Sequence, residues 1–448
     1  TNLINTLIVL NLRKLLLTGK TFYLKVTLLN MEEKMKKFIS ILFSLLLSLS
    51  FTSASKADGH MEAEVIHWWV SGGEQAAISK FAEAWQDMGG TWVDTAITGG
   101  ENARGTTVNR IIGGNPPTAA QFNISKQFAD LVEQGLLQSL EEVASAEGWR
   151  DFIYPPELIE TCEYNGEFYC VPVNIHSSQW MWINNEVFEK VGVPKPNTIQ
   201  DFIAVAPQIQ EAGYIPLALG GQPWQEGLMF GVIASSTLGF PHMAKLYRDK
   251  DVDAFRDGKF ELVLQTYRDM NKFIDEGAPG RLWNDATAMV VEGKAAVQIM
   301  GDWARGEFAV AGQEAKVDYD CVIPGNEKYV SLGGDVFVFP KNDDPKVKDI
   351  QLKMASMMVN PTVQAKFNNA KGSLPMRLDV DTSAADACMQ MGLELIQQPS
   401  AIMRESDDWN SPAFTNAWDD IISEFRNDPS YAISAAMDDL EDVLTSDL

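Results

Sequence analysis

The chain is poor in the residues from which most catalytic and metal centres are built. Its 448 residues include only four histidines and four cysteines. The histidines (His60, His67, His176 and His242) form no HExxH motif, and the cysteines form no CxxC pair. The GxSxG and Walker A patterns are also missing. We therefore predict a protein that is not an enzyme and that holds neither a metal nor a cofactor.

Basic residues are scarce as well. The chain has 36 Lys and Arg against 61 Asp and Glu, a formal net charge of −25 at pH 7. Charge of this sign repels nucleic acids and anionic lipid surfaces. We predict that neither is a partner of this protein.

The first 57 residues are predicted to lie outside the mature fold. Residues 1–34 are interpreted as an upstream segment foreign to it. Residues 35–57 have the order of a secretory signal peptide, with a basic start at Lys36, an apolar run over Phe38–Phe51 and small residues before a cut after Ala57. The apolar run is too short to span a membrane, and no cysteine lies near the cut. We expect export to the periplasm without a lipid anchor.

The four cysteines fit an oxidising compartment. Cys162 and Cys170 flank an Asn-Gly turn at 165–166. A two-residue loop there would offset the two cysteines by one position, and a three-residue loop would bring them face to face. Cys321 and Cys388 are the other candidate pair, but the sequence by itself allows three connectivities.

Strand and helix patterns alternate in the first part of the chain, and Ser71 and Glu74 are spaced as a capping box. The predicted elements are strand Ala63–Val70, helix Gln75–Met88, strand Trp92–Ile97, helix Arg104–Gly113 and strand Thr118–Phe122. This order indicates a parallel sheet covered by helices on both faces. Further on, residues 174–184 are predicted to form one long strand that leaves the first lobe.

A later stretch, residues 284–308, reads as helix, strand and helix. Gly293 ends the first helix, where a left-handed residue is needed. Ala295–Met300 is an unbroken small and apolar run, typical of a strand buried on both faces. Asp302 and Trp303 follow at the carboxyl end of that strand, where ligands bind in open α/β sheets. The alternative is that Asp302 caps the next helix and Trp303 belongs to the core.

Tryptophans are placed mostly at strand ends and in loops, several of them beside a polar residue. They are Trp68, Trp69, Trp180, Trp182, Trp224, Trp283, Trp303 and Trp409. Pyranose rings stack their C–H faces on indoles, while their hydroxyls need polar partners. Core packing is the better explanation for any single one, whereas the set favours a carbohydrate cleft. Paired carboxylates such as Glu74 and Asp302 leave a glycoside hydrolase as a second hypothesis.

Six segments, in the same order, are similar to motifs of one protein family. The segments are His67–Glu74, Pro172–Ser177, Gly220–Gln225, Ala288–Lys294, Gly301–Trp303 and Lys371–Ser373. Together they resemble the extracellular solute-binding proteins of ABC transporters, of the maltose-binding-protein type, and most of all the glucose- and mannose-binding branch. Any one segment would be a weak signal, but six in order are a strong one.

The resemblance implies an α/β fold of the type II periplasmic binding class. Each of two lobes would hold a mixed, mostly parallel sheet flanked by helices, with two to three crossovers between the lobes. We expect residues 58–172 and 283–332 to form lobe 1, and residues 173–282 and 333–448 to form lobe 2. Such a monomer would close on a monosaccharide by hinge motion and deliver it to the membrane permease. The expected hinges lie near Pro172–Ile175 and Leu332–Asp335.

The resemblance also assigns residue roles. Matched sugar contacts are Trp68, Trp69, Glu74, Trp224, Asp302 and Lys371, while His176 and Gln222 lie in matching motifs; Trp303 joins the set by its position. The branch further implies a Cys321–Cys388 disulfide, but it offers no counterpart for Cys162–Cys170. Glucose-binding relatives carry a ligand histidine in the C-terminal region, and this chain has none after His242. Arg404, Asp407 or Trp409 is predicted in that place, with another hexose, a disaccharide or a small glycoside as the alternative ligand.

Overall fold

The computed structural model of the chain describes residues 61–446, apart from the side chain of Asp407. The predicted upstream segment and signal peptide lie outside these residues. Among the helices that are described, none is both long and apolar enough to cross a bilayer.

The strands are short and fall into two main sheets. In chain order they are β1 Met61–His67, β2 Gly90–Ala96, β3 Ala119–Asn123, β4 Glu163–Tyr164, β5 Glu167–Phe168, β6 Cys170–Pro172, β7 Trp180–Asn184, β8 Ile215–Ala218, β9 Ala295–Met300, β10 Tyr319–Val322, β11 Val330–Leu332, β12 Asp335–Val338 and β13 Ile402–Arg404.

Helices occupy most of the remaining chain. They are α1 Gly72–Asp87, α2 Gly100–Ile112, α3 Ala129–Glu133, α4 Glu141–Glu147, α5 Trp149–Phe152, α6 Glu157–Cys162, α7 Asn185–Val191, α8 Ile199–Glu211, α9 Pro223–Leu238, α10 Phe240–Tyr247, α11 Val252–Phe255, α12 Lys259–Asn271, α13 Trp283–Val291, α14 Ala304–Val310, α15 Pro345–Val359, α16 Pro361–Lys371, α17 Ala387–Ile396, α18 Ser406–Trp409, α19 Pro412–Asn427 and α20 Ile433–Thr445.

Lobe 1 is built on a five-stranded sheet in the order β2-β1-β3-β12-β6. β1 runs parallel to β2 and β3, whereas β12 runs antiparallel to β3 and β6. The predicted capping box is confirmed, since Ser71 and Glu74 exchange both hydrogen bonds at the start of α1. On the other side of the core, Phe81 of α1 stacks on Phe367 of α16 with ring centres 4.2 Å apart. Helices α1, α15 and α16 thus bury the apolar side chains of this sheet.

Lobe 2 is built on a four-stranded sheet in the order β10-β7-β9-β8. β8 is parallel to β9, and β7 is antiparallel to both of its neighbours. The predicted strand Ala295–Met300 is confirmed as β9, buried along its whole length. Gly293 before it has φ of +67°, as the predicted helix end requires. Trp180 and Trp182 of β7 lie in the core beside β9.

The chain passes between the lobes three times within the described residues, over residues 173–179, 323–334 and 397–411. This agrees with the expected two to three crossovers. Two of these segments are joined by backbone hydrogen bonds, because His176 and Gly333 each donate to the other's carbonyl at 3.0 Å. The predicted single strand over residues 174–184 is wrong. Only β7 is strand, since the polar side chains before it turn into a buried network between the lobes.

The predicted lobe boundaries after residue 282 are also wrong. Residues 283–332 belong to lobe 2, because β9 lies between β7 and β8 and β10 pairs with β7. Part of 333–448 belongs instead to lobe 1, where β12 pairs with β3 and β6. Of the C-terminal helices, α19 and α20 do pack into the lobe 2 core. The prediction failed because the sequence of a buried apolar strand such as β9 does not indicate which sheet the strand joins.

Both candidate disulfides are present. Cys162 and Cys170 are bonded with Cα atoms 4.9 Å apart, and Cys321 and Cys388 with Cα atoms 6.0 Å apart. The hairpin loop has two residues, so the amide of Tyr169 donates to the carbonyl of Cys162. Of the two loop alternatives, the structure has the two-residue one, and the bridge joins positions offset by one.

Candidate functional site

The predicted site residues come from separate segments that meet where the two lobes join. Trp68 and Glu74 follow β1, Lys371 ends α16, Asp302 and Trp303 follow β9, and Trp224 lies in the first turn of α9. His176 lies in the crossing segment between them. The contacts described below connect these segments into one cluster.

His176 is the centre of the cluster. Its ring is buried, with Nδ1 2.6 Å from an oxygen of Asp302 and Nε2 2.9 Å from an oxygen of Asp335. Asp302 follows a strand of lobe 2, and Asp335 begins a strand of lobe 1. A single imidazole therefore bridges one carboxylate from each lobe.

Asp302 is held in place by the crossing segment. Its second oxygen accepts hydrogen bonds from the amide of Ser177 at 3.0 Å and from the Ser177 hydroxyl at 3.1 Å. The following helix α14 has Trp303 at its N-cap position and no side-chain cap. The alternative that Asp302 caps this helix is therefore wrong. Gly301 is needed here because a Cβ would lie only 2.1 Å from the Trp303 ring.

Asp335, like Asp302, is held by several hydrogen bonds. Its partners are residues that the sequence analysis did not select as ligands. Its oxygens accept from Gln121 Nε2 at 2.8 Å and from Asn174 Nδ2 at 2.9 Å, while its own amide donates to Asn174 Oδ1 at 2.7 Å. Gln121 Oε1 in turn accepts from the amide of Trp68 at 3.0 Å. The sequence did offer a signal for this network. Gln121 and Asp335 are polar residues in otherwise apolar strands, and a buried Gln or Asp requires a hydrogen-bond partner.

These contacts fix the charges of the central cluster. Burial lowers the pKa of His176, but the carboxylates of Asp302 and Asp335 outweigh burial and raise it above its ordinary value. For Asp335 the signs are opposite. Burial alone would raise the pKa of its carboxyl, but the imidazole of His176 outweighs burial and lowers the pKa below its ordinary value. The arrangement favours an imidazolium between two carboxylates.

Glu74 and Lys371 form a second buried pair, 3.6 Å apart, inside lobe 1. The other oxygen of Glu74 accepts from the amides of Val70 at 3.1 Å and Ser71 at 3.3 Å. The ammonium of Lys371, whose residue is 2% exposed, also lies 5.6 Å from the centre of the Trp69 ring. The capping function of Glu74 and its pairing with Lys371 thus use different oxygens.

The predicted tryptophans differ in how much of the indole is exposed. Trp224 is 39% exposed, and its ring centre lies 6.3 Å from that of Trp303. Trp303 is partly exposed and meets His176 edge to face at 5.0 Å. Trp68 is partly exposed as well, whereas Trp69 is 1% exposed and packs against phenylalanines of the lobe 1 core. Within this cluster, accessible indole faces therefore come from Trp68, Trp224 and Trp303.

Gln222 supports the start of α9. It occupies the N-cap position without a side-chain cap bond, and its Oε1 accepts from Gln225 Nε2 at 2.8 Å. Pro223 follows at the first helical position, for which its fixed φ is suited. This local order places Trp224 in the first turn of α9.

Of the C-terminal candidates, Arg404 pairs with Glu160 on lobe 1, and Trp409 packs against the lobe 2 core. The side chain of Asp407 lies outside the described residues. Their neighbour Glu405 accepts from the hydroxyl of Ser178 at 2.7 Å, and burial raises the pKa of its carboxyl. The C-terminal segment therefore reaches the crossing region through a carboxylate that the sequence analysis did not select.

Helix α14 fastens the two lobes to each other beside the site. Arg305 is buried and donates to the carbonyl of Asn369 at 2.9 Å and to Asp386 at 3.0 Å. Glu307 accepts from the amide of Gly73 at 2.7 Å, at the start of α1. The segment that carries Asp302 and Trp303 is thus anchored on lobe 1 as well as on its own sheet.

A family model for bacterial extracellular solute-binding proteins matches residues 70–364. The chain belongs to this family. Over 363 residues this solute-binding protein is 37% identical to a protein of Rhizobium meliloti named "Probable sugar-binding periplasmic protein", a match that covers 80% of this chain and 86% of the other. The family consists of binding proteins rather than enzymes, which confirms the prediction that the chain is not an enzyme.

Solved structures share the fold of this solute-binding protein. A chitin oligosaccharide binding protein superposes with a TM-score of 0.70 at 17% identity, covering 85% of this chain and 98% of the other. The bacterial solute receptor AcbH, described as preferring β-D-galactopyranose exclusively, superposes with a TM-score of 0.71 at 18% identity, covering 85% and 97%. At these identities the likeness concerns the fold alone, and it confirms the predicted two-lobed type II architecture.

Proposed function

We propose that this protein is the periplasmic sugar-binding component of an ABC import system, and that it binds a monosaccharide of the glucose or mannose type between its lobes. The observation that carries the proposal is that the accessible indoles of Trp68, Trp224 and Trp303 belong to the same cluster as the buried carboxylates of Glu74 and Asp302. A pyranose combines C–H faces with a rim of hydroxyls, so it needs both kinds of surface. The name of the Rhizobium meliloti relative supports a sugar and a periplasmic location.

In this proposal the indoles hold the ring and the polar residues read its hydroxyls. Trp224 and Trp303 stack on the sugar from lobe 2, and Trp68 covers it from lobe 1. Asp302 and Glu74 accept from hydroxyls, and Lys371 donates to them. His176, whose two nitrogens both face carboxylates, holds Asp302 in position. Gln222 and Trp69 contribute less directly, since Gln222 starts the helix of Trp224 and Trp69 packs under Lys371.

We further propose that closure about the crossing segments delivers the sugar to permease subunits in the membrane. The predicted hinges near Pro172–Ile175 and Leu332–Asp335 coincide with parts of these segments. Hinge closure around a ligand is the usual motion of periplasmic binding proteins. The protein is proposed to act as a monomer.

The glycoside hydrolase hypothesis receives no support from the site. A hydrolase needs one carboxyl as a proton donor and a second as nucleophile or base. Asp302 is already engaged by His176 and Ser177, and Glu74 by Lys371 and two backbone amides. These bonds favour fixed acceptors for a ligand over groups that exchange protons.

The proposal is tested by titrating the purified protein with D-glucose, D-mannose, other hexoses, pentoses and disaccharides while following tryptophan fluorescence. Saturable quenching by one monosaccharide, with a rise in melting temperature, is expected. Trp224→Ala should weaken that affinity by about 1–3 kcal/mol, an estimate for lost stacking. Trp92→Ala is the matched control, because Trp92 lies on the edge strand β2 outside the cleft and should leave affinity unchanged.

Binding of disaccharides alone would keep the sugar-binding function and reject the monosaccharide. An unchanged affinity in Trp224→Ala would reject the stacking assignment. No response to any sugar would reject the proposed function.

A further inference from the structure

Arg104, in the first turns of α2, lies beside Trp68. Its guanidinium carbon lies 5.5 Å from the centre of the Trp68 ring, and Nη1 donates to Asn123 Oδ1 at 3.1 Å. Gly100 leaves room for this arrangement, since a Cβ there would lie 2.8 Å from Nη1 and 3.5 Å from the indole. The side chain is therefore held over an indole that we assign to the cleft.

The hydrogen-bonding capacity of Arg104 is mostly unused. A guanidinium has five N–H donors, and the described part of the chain supplies one acceptor, on Asn123. Other arginines of the described residues form salt bridges with carboxylates, with the exception of Arg268. Arg268 belongs to lobe 2, where it donates to the carbonyl of Tyr431 at 2.7 Å and lies 4.0 Å from the centre of the Phe425 ring.

The nearest carboxylates do not take up these donors. Burial lowers the pKa of Arg104, while the charges of Glu101 and Asp335 offset only part of that effect. Asp335 accepts from Gln121 and Asn174 instead, and Glu101 is exposed to solvent. Closing the cleft would remove water from the free N–H groups, and unsatisfied buried donors are costly. An occupant of the cleft must therefore bring acceptors to this place.

We propose that Arg104 is a specificity-determining residue that contacts the sugar and donates to a pair of its oxygen atoms while the ring lies against Trp68. This deepens the proposed function and rests on it. The planar fork of a guanidinium matches two oxygens in one plane, which either two neighbouring hydroxyls or a carboxylate of an acidic sugar can supply. The two sources share this chemistry and are separated by experiment.

The test is calorimetric titration of D-glucose, D-mannose and D-glucuronate into the wild type and into Arg104→Met, Arg104→Lys and Arg268→Met. Arg104→Met should lower the affinity for at least one of these sugars tenfold or more. Arg104→Lys should recover part of the loss, because it restores charge without the fork. Arg268→Met is the matched control and should keep every affinity within about threefold, since Arg268 contacts Tyr431 and Phe425 of lobe 2 and none of the proposed sugar contacts.

The sugar that loses affinity identifies the source of the oxygens. A loss for D-glucose or D-mannose assigns hydroxyls, and a loss for D-glucuronate alone assigns a carboxylate. A series of monodeoxyglucoses then tests direct contact: the hydroxyl read by Arg104 should matter in the wild type and no longer matter in Arg104→Met.

Unchanged affinities in Arg104→Met, while the wild type binds, would overturn the role of Arg104 and leave the proposed function standing. If Arg104→Met does not fold, Arg104→Lys takes its place. The role of Arg104 would then be overturned if Arg104→Lys weakens the binding of glucose and of every monodeoxyglucose by the same factor. Failure of the wild type to bind any of the sugars would count against the proposed function, and the inference would fall with it.

Discussion

The two lobes contribute different chemistry to the cleft. Lobe 1 offers charged groups on buried supports, the Glu74–Lys371 pair and Arg104, with one accessible indole at Trp68. Lobe 2 offers accessible aromatic surface at Trp224 in α9 and at Trp303 after β9. The lobe 1 groups are held by protein contacts before any ligand arrives. The lobe 2 surface becomes buried only when something covers it.

This difference predicts that substitutions of the buried lobe 1 residues Trp69 and Lys371 reduce folding stability, whereas substitution of the exposed Trp224 on lobe 2 reduces affinity. Between the two lies His176, which contacts carboxylates from both lobes and should affect both properties.

The largest expected effect comes from Trp69→Ala. Trp69 is 1% exposed and packs against Phe337 and Phe367, so the truncation leaves a cavity in the lobe 1 core. The free energy of unfolding should fall by about 3–5 kcal/mol, as for other large aromatic truncations. Guanidinium denaturation measures it. A loss under about 1 kcal/mol would show that Trp69 belongs to the cleft and not to the core.

Lys371→Met should reduce the free energy of unfolding by about 3 kcal/mol, the lower end for breaking a buried ion pair. The lower end applies because Glu74 keeps its two backbone donors. Lys353→Met, which removes an exposed pair with Asp349 in the same lobe, is the control and should cost about 0–1 kcal/mol. Equal effects of the two substitutions would contradict the statement that protein contacts hold the lobe 1 groups in place before a ligand binds.

His176→Gln should cost about 2 kcal/mol, because it removes hydrogen bonds to two charged carboxylates. It should also change the pH dependence of stability. The raised pKa of His176 means that its stabilisation is complete below the unfolded-state pKa and is lost as pH rises through the folded-state value. The lowered pKa of Asp335 acts oppositely, since its stabilisation is lost as pH falls through the folded-state value.

Denaturation of the wild type and His176→Gln across pH 4–9 tests this directly. The difference in unfolding free energy between the two proteins should shrink toward alkaline pH. Asp302, Asp335, Lys371 and Glu405 all act on the imidazole, so the midpoint reports the whole cluster. A difference that does not vary with pH would mean that the pKa of His176 is the same in the folded and the unfolded state.

The smallest stability effect is expected for Trp224→Ala. Because Trp224 is 39% exposed, the free energy of unfolding should change by less than about 1 kcal/mol, although affinity for sugar falls. Denaturation without sugar, compared with Trp69→Ala, gives the sharpest form of the contrast between the lobes. A stability loss as large as that of Trp69→Ala would remove the contrast.

Local features were predictable because they depend on neighbouring residues. The capping box at Ser71 and Glu74, the strand Ala295–Met300 and the left-handed Gly293 all follow from short-range geometry. The hairpin between Cys162 and Cys170 followed from its Asn-Gly turn. Each of these is decided by hydrogen bonds and backbone conformations within a few residues.

Assignments that depend on distant partners were less predictable. Trp68 and Trp69 are adjacent in sequence, yet Trp68 is partly exposed beside Arg104 while Trp69 lies in the core. Gln121, Asn174 and Asp335 look ordinary in the sequence, and only the meeting of three strands and a crossing segment makes them a network. The lobe to which β9 belongs was likewise open until its pairing was known.

The sequence by itself determined an α/β protein, because the alternation of strand and helix patterns is local. The six short motifs carried the resemblance to the family, and that resemblance implied the two lobes and the groups of residues from which a site would be drawn. Only the tertiary structure decided which tryptophans are exposed, that His176 joins a carboxylate from each lobe, and that most N–H donors of Arg104 have no acceptor among the described residues. The physical reason is that burial, charge pairing and accessible surface depend on chain segments that are far apart in sequence and close in space.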